Sequence, residues 1–175
     1  MKMITQTILC ILALSFGAEK LSAEELIVYP NADAPIFTIE VPKNWTLTPA
    51  PTPTQFFLVA GPAGVKMWFR AAAVASEKEV EAAIEAATAS GKEWFTESYE
   101  NIALGDLVMG ERKGIPFSSI SGAGVAKADG EEVVFAVTFG YLPNGSLAEF
   151  WAVIPANNRQ ALKTADKVIS SFEPK

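Results

Sequence analysis

The side chains that could do chemistry in this chain are few, and one of the usual ones is missing. Its 175 residues include no histidine and a single cysteine. Without an imidazole there is no Ser-His-Asp triad, no His-activated nucleophile and almost no route to a zinc, copper or non-haem iron site. Carboxylates remain, and hard metals can be held by them alone. Yet aspartate occurs only at 33, 106, 129 and 166, and the sequence has no D-x-[DN]-x-[DN]-G loop. A glycosidase-type carboxylate pair depends on spacing in three dimensions, so it stays open at this point. The glutamates have a simpler reading as solvated faces. Glu77, Glu81 and Glu85 fall on the outer side of a predicted helix, and Glu131 and Glu132 follow a turn.

Three further features have a chemical reading and a plainer one. Arg70 sits in an apolar stretch next to Trp68 and Phe69. It is expected to face solvent or the sheet edge; pairing with a buried carboxylate, or binding an anion, is the alternative. Gly122-Ala123-Gly124 lacks the G-x-G-x-x-G spacing and the strand-to-helix setting of a phosphate loop, and is expected to be a glycine-rich strand or bulge. Trp45, Trp68, Trp94 and Trp151 are expected in the core. No catalytic, cofactor-binding or metal-binding residue is assigned, no cofactor is expected, and the binding surface is left unknown.

The elements that must position these residues follow from patterning. An apolar run at 26–29 and the alternating Phe37, Ile39 and Val41 predict two strands, the second closed by Pro42. The stretch 48–54 is proline-rich and reads as an extended loop. Strands at 55–60 and 65–75 flank a turn at Gly61-Pro62-Ala63-Gly64. Ser76 and Glu79 have the spacing of a capping box before a helix whose buried face is Val80, Ala83, Ile84 and Ala87. Gly91 is expected to interrupt or end that helix, with Trp94, Phe95 and Tyr99 in a further turn-rich piece. One strand is predicted over 102–113, with bulges at Gly105-Asp106 and Gly110. Asp129-Gly130 and Asn144-Gly145 then divide a three-stranded antiparallel meander at 117–127, 131–142 and 147–154. Asn157 or Asn158 caps a last helix presenting Leu162, Ala165, Ile169 and Phe172. This order predicts an α+β chain with a largely antiparallel sheet.

The first residues predict an address. Lys2, an apolar stretch over 8–16 and the small pairs Gly17-Ala18 and Ser22-Ala23 form a signal-peptide pattern. The apolar run stops at Glu19-Lys20, short of the roughly 20 residues that span a bilayer. Residues 1–23 are therefore expected to be a cleaved signal, cut between 17 and 23, with 24–175 a single domain and no membrane span after cleavage. Cys10 would leave with the signal, so the exported domain would have no thiol. The full chain carries a net charge of −6; losing Lys2, Glu19 and Lys20 leaves 12 positive against 19 negative residues, a net −7. No basic run is longer than Arg112-Lys113, so neither nucleic acid nor an anionic membrane surface is expected as a partner.

Two segments carry a family resemblance. Phe37-Thr38-Ile39-Glu40-Val41-Pro42-Lys43-Asn44-Trp45 resembles the F-x-I-x-[VL]-P-x-x-W opening of PsbP-like domains, and 165–172, ending in Ser171-Phe172, resembles their closing helix. The resemblance implies an α/β/α sandwich around a mostly antiparallel sheet of about six to seven strands, with the C-terminal helix packed on it. The superfamily includes the extrinsic photosystem II subunit, the Ran-binding nuclear import factor, DcrB proteins and type VI secretion adaptor chaperones. It implies protein binding and offers no common catalytic residues. Together these readings predict a non-enzymatic accessory or adaptor, periplasmic or secreted, that binds another envelope or secreted protein. A small-ligand or ion-binding domain and a carboxylate-based hydrolase are the alternatives.

Overall fold

Period-two alternation puts Phe37, Ile39 and Val41 on one side of a strand, and all three are buried. In the computed structural model, which describes residues 24–49, 56–74 and 76–175, this strand is β2 (Phe37–Pro42). It pairs antiparallel with β1 (Glu24–Tyr29) on one side and with the two-residue β11 (Glu173–Pro174) on the other. The expected signal segment with Cys10, and most of the proline-rich stretch, lie outside the described residues.

The remaining strands make one antiparallel sheet. They are β3 (Thr46–Thr48), β4 (Phe57–Ala60), β5 (Lys66–Ala73), β6 (Tyr99–Leu104), β7 (Val108–Arg112), β8 (Ile115–Ala126), β9 (Glu132–Tyr141) and β10 (Ser146–Pro155). The lateral order is β3-β4-β5-β10-β9-β8, and β6 and β7 lie end to end along the far side of β8. β10 is central, and from Leu147 to Pro155 every one of its residues is buried.

Each face is closed by a helix. α1 (Val80–Ser98) brings Ile84, Ala87 and Phe95 against Phe135, Val137, Phe139, Trp151 and Val153. On the other face, α2 (Arg159–Ser170) and the small sheet enclose Phe37, Phe69, Phe150 and Phe172 with Ala161, Ala165 and Val168. The fold is thus α+β, helix on sheet on helix. The predicted meander is present as β8, β9 and β10, and Asn158 caps α2, its Oδ1 accepting the Ala161 N–H at 2.9 Å.

Three local expectations fail, each for a visible reason. The capping box does not form: residues 77–79 make a 3-10 turn, and the Glu79 N–H donates to the Ser76 backbone oxygen at 3.0 Å, leaving α1 without a side-chain cap. Gly91 does not end the helix, which runs on to Ser98. A Cβ there would fall inside the Trp151 indole, so glycine marks a close approach, not a stop. The single strand over 102–113 is two. The ladder of β6 slips between Glu100 and Ala103, where Asn101 has a φ of 54°, and residues 105–107 separate β6 from β7. Lys113 and Gly114, both at positive φ (51° and 77°), then turn β7 back into β8. This division helps bring the main sheet to eight strands where six or seven were expected.

Candidate protein-binding surface

The charged groups that the strands bring together are engaged with one another. β5 and β10 are neighbours, and their register sets Arg70 opposite Glu149 on the face that α1 packs. Arg70 Nη2 lies 2.8 Å from Glu149 Oε1, and Glu149 is 2% exposed. The Trp151 indole N–H donates to Glu149 Oε2 at 3.4 Å, and the guanidinium sits 4.5 Å from the centre of the Phe56 ring. Arg70 Nε is buried and has no hydrogen-bond partner among the described residues. β5 is an interior strand, so the expected solvent or edge position of Arg70 is overturned in favour of its alternative, a buried carboxylate partner. Glu149 was missed, although it is the one charge in the otherwise apolar strand β10.

A second carboxylate meeting occurs at the rim of the small sheet. The Glu24 and Glu40 side chains hydrogen-bond, and this contact, with partial burial and the Glu40 charge, raises the pKa of Glu24; Lys167 pulls the other way. The Glu24 shift has the direction of an acid catalyst's, but the pair lacks the spacing. A glycosidase holds its carboxyls about 5–9.5 Å apart across a sugar. These touch, and the depression beside them, lined also by Lys167 and Ser171, has a volume of about 30 Å³, enough for one water. Glu81, Glu85, Glu131 and Glu132 are exposed, as predicted for solvated faces. Among the described residues no cluster of three or more Asp or Glu is placed to hold a metal ion.

The glycines and tryptophans divide. Gly122 and Gly124 lie within β8; a Cβ on the first would come within 2.5 Å of the Ala103 carbonyl oxygen, and one on the second within 2.7 Å of the Phe135 ring. They permit close strand and ring packing. Trp45 and Trp151 are core residues, whereas Trp68 is half-buried and Trp94 is 41% exposed. Trp94 stacks on Phe95 at 5.0 Å and meets Trp68 edge-on at 4.7 Å, so much of it is already used within the chain.

Among the described residues, the longest run of exposed large apolar side chains lies elsewhere, on the sheet edge. Leu107, Val108 and Met109 are 47%, 54% and 69% exposed, and the Ser118 hydroxyl donates to Met109 Sδ at 3.0 Å. The sequence signal was the tripeptide itself, hidden inside what read as one continuous strand.

Comparison with known proteins bears on the scaffold. No family model and no curated protein matches the sequence. Among solved structures, the solution structure of cyanobacterial PsbP (CyanoP) from Synechocystis sp. PCC 6803 superposes with a TM-score of 0.62 at 11% identity, over 92% of this chain and 98% of that one. The Saccharomyces cerevisiae Ran-binding protein Mog1p does so with a TM-score of 0.55 at 8% identity, over 87% and 96%. The chain has the PsbP-like fold. The residues that signalled it are structural: Phe37, Ile39, Val41 and Trp45 all lie in the core behind α2. At the other end of the PsbP-like fold, Ser171 Oγ accepts the Glu40 N–H at 2.8 Å and donates to the Val168 carbonyl at 2.7 Å, tying the close of α2 to β2. Phe172 then packs against Phe37, Phe117 and Phe150. These residues build the PsbP-like fold and supply no reacting group, so the fold by itself assigns no activity. Among the described residues, no helix is long and apolar enough to cross a membrane.

Proposed function

We propose that this protein is a non-enzymatic accessory that works by binding another protein, after export to the periplasm or the exterior. The observation that carries the reading is the exposed run of Leu107, Val108 and Met109 on an edge of the main sheet. Clustered apolar surface of this kind favours contact with a partner over contact with water. The groups that could have reacted point the same way, since the buried Glu149 is paired with the half-buried Arg70 and Glu24 and Glu40 touch. The depression at Glu40 is far smaller than the cavity of about 300–1,000 Å³ that a small ligand occupies, so that site does not bind one. The fold is shared with Mog1p, a Ran-binding protein. Export is supported by the signal-like pattern of residues 1–23.

Affinity capture from the native envelope fraction tests the binding. The expected result is a stoichiometric protein partner; recovery of none, together with turnover of a substrate by the purified chain, overturns the reading. Intact mass of the exported product tests the address. A chain starting between residues 18 and 24 supports export, and a full-length product confined to the cytoplasm refutes it.

A further inference from the structure

The manner of binding can be taken one step further, resting on the reading above. We propose that β7 is the docking edge, and that the partner contributes an extended segment of alternating apolar and basic residues, which adds to the main sheet as a new strand.

The backbone dictates the shape of the occupant. β7 pairs with β8 on one side, and all its residues except Arg112 are exposed. The two-residue turn at Lys113 and Gly114 makes Arg112 and Ile115 a hydrogen-bonded pair, and the alternation of an antiparallel ladder then assigns the same to Gly110–Phe117 and Val108–Ser119. Glu111 faces Pro116, which has no N–H to give, in agreement with this phase. Met109 and Glu111 therefore direct both N–H and C=O away from β8. Such unpaired groups are a template for another strand.

The side chains agree. Met109 lies over Ser118, on the face that α1 packs, while Arg112 reaches Ser170 of α2 on the other, so Val108, two residues from Gly110 and four from Arg112, shares the α2 side. Apolar exposure thus falls on both sides of the edge. An added strand covers both; a helix laid on either face would cover one. Other edges of the sheet are guarded. β3 is three residues long and runs into Pro49, and β6 carries the bulge at Asn101. β7 has neither device.

Charge and size choose the partner. Glu100, Asp106 and Glu111 are exposed along this edge, and among the described residues none is in an ion pair. Of the neighbouring cations, Lys113 is paired with Glu173 at 3.3 Å, while Arg112 keeps its charge and is turned to the α2 side by Ser170 Oγ at 2.9 Å, which leaves three carboxylates against one cation. The edge is therefore acidic and matches Lys or Arg. A second copy of this chain, itself at −6, does not complement it. Five residues at about 3.3 Å each make an edge only about 17 Å long, too little for the roughly 800 Å² per partner of a stable dimer.

The test uses the purified chain and end-capped peptides of alternating Val and Lys, with the Val/Glu analogue as control. Hydrogen exchange is followed amide by amide. The Val/Lys peptide should slow exchange at Met109 and Glu111 at least tenfold, and the Val/Glu peptide should not. Met109→Pro deletes an outward N–H that the ladder does not use, so the fold should persist while peptide affinity falls at least tenfold. Met109→Lys should keep the fold and weaken the basic peptide similarly. Equal binding by parent and both variants, equal binding of both peptides, or protection of Met109 by self-association without peptide would each overturn the proposal. Protection centred on Trp94 and Trp68 would also overturn it, yet leave the protein-binding reading standing, whereas an empty affinity capture together with substrate turnover removes that reading itself.

Discussion

The two faces of the main sheet are held by different means. Behind α2 the packing is mostly aliphatic and phenyl, with Tyr29 and Trp45 among it and no charge within it, the helix is capped by Asn158, and Ser171 and Phe172 fasten its end to β2 and the core. Behind α1 the packing includes indoles, a buried ion pair and a helix that has no side-chain cap and a glycine at its closest approach. The α2 side spreads its stability over many interchangeable contacts. The α1 side relies on a few that nothing nearby can replace. It follows that the most damaging single changes to polar or small residues should map to the α1 side of the sheet.

The largest effect is expected at the ion pair. Arg70→Met leaves Glu149 charged, buried and unpaired, which costs about 3–5 kcal/mol; denaturant unfolding measures it. Adding Glu149→Leu should restore most of the loss, because an apolar pair of similar volume needs no desolvated charge. A cost below about 1 kcal/mol for Arg70→Met would mean that water reaches the carboxylate and that this face is less brittle than described.

Next comes Gly91. In an open helix, Gly→Ala gains about 1 kcal/mol. Here the new methyl meets Trp151, and overpacking of this kind costs about 1–3 kcal/mol. Gly91→Ala should therefore destabilise, and in a Trp151→Leu background the same change should stabilise. If the sign does not reverse, close helix–indole packing is not what keeps glycine at this position.

The smallest effect belongs to the α2 side, where charges meet only at the rim. The folded chain holds a proton on Glu24 above the usual 4.5, chiefly through the Glu40 hydrogen bond. The stability linked to that proton is present below pH 4.5 and lost as pH rises through the folded value. At pH 7 two carboxylates are left in contact. Glu24→Gln should raise stability at neutral pH by a few tenths of a kcal/mol, the scale of a cross-strand charge pair. The advantage should vanish below pH 4.5. Unfolding midpoints compared at pH 7 and pH 4 decide it, and equal gaps at the two would sever the link to Glu24.

Much of this architecture was legible in the sequence because it rests on local periodicity. Phe37, Ile39 and Val41 announced a buried strand face, and Asn144-Gly145 announced a hairpin. What escaped depends on neighbours distant in the chain. Gly91 reads as a helix breaker until Trp151, 60 residues later, is laid against it. Arg70 reads as solvated until register sets it opposite Glu149. The turn that ends β7 rests on Lys113, a residue type that does not advertise positive φ. At the candidate docking edge, Leu107, Val108 and Met109 were visible as apolar residues. Their exposure follows from the main sheet ending at β7, which no short window of sequence can show.

The placement of β2 between β1 and β11 has a consequence for the order of assembly. Tyr29 and Pro174 flank Phe37 from opposite sides, so the first and last strands share one partner. The pairing of β1 with β2 is local, whereas that of β2 with β11 joins Phe37 and Thr38 to Pro174 and Glu173, more than 130 residues away. Such long loops slow folding. The hairpin of β1 and β2 can form early, and β11 acts as the catch that closes on it once α2 is in place.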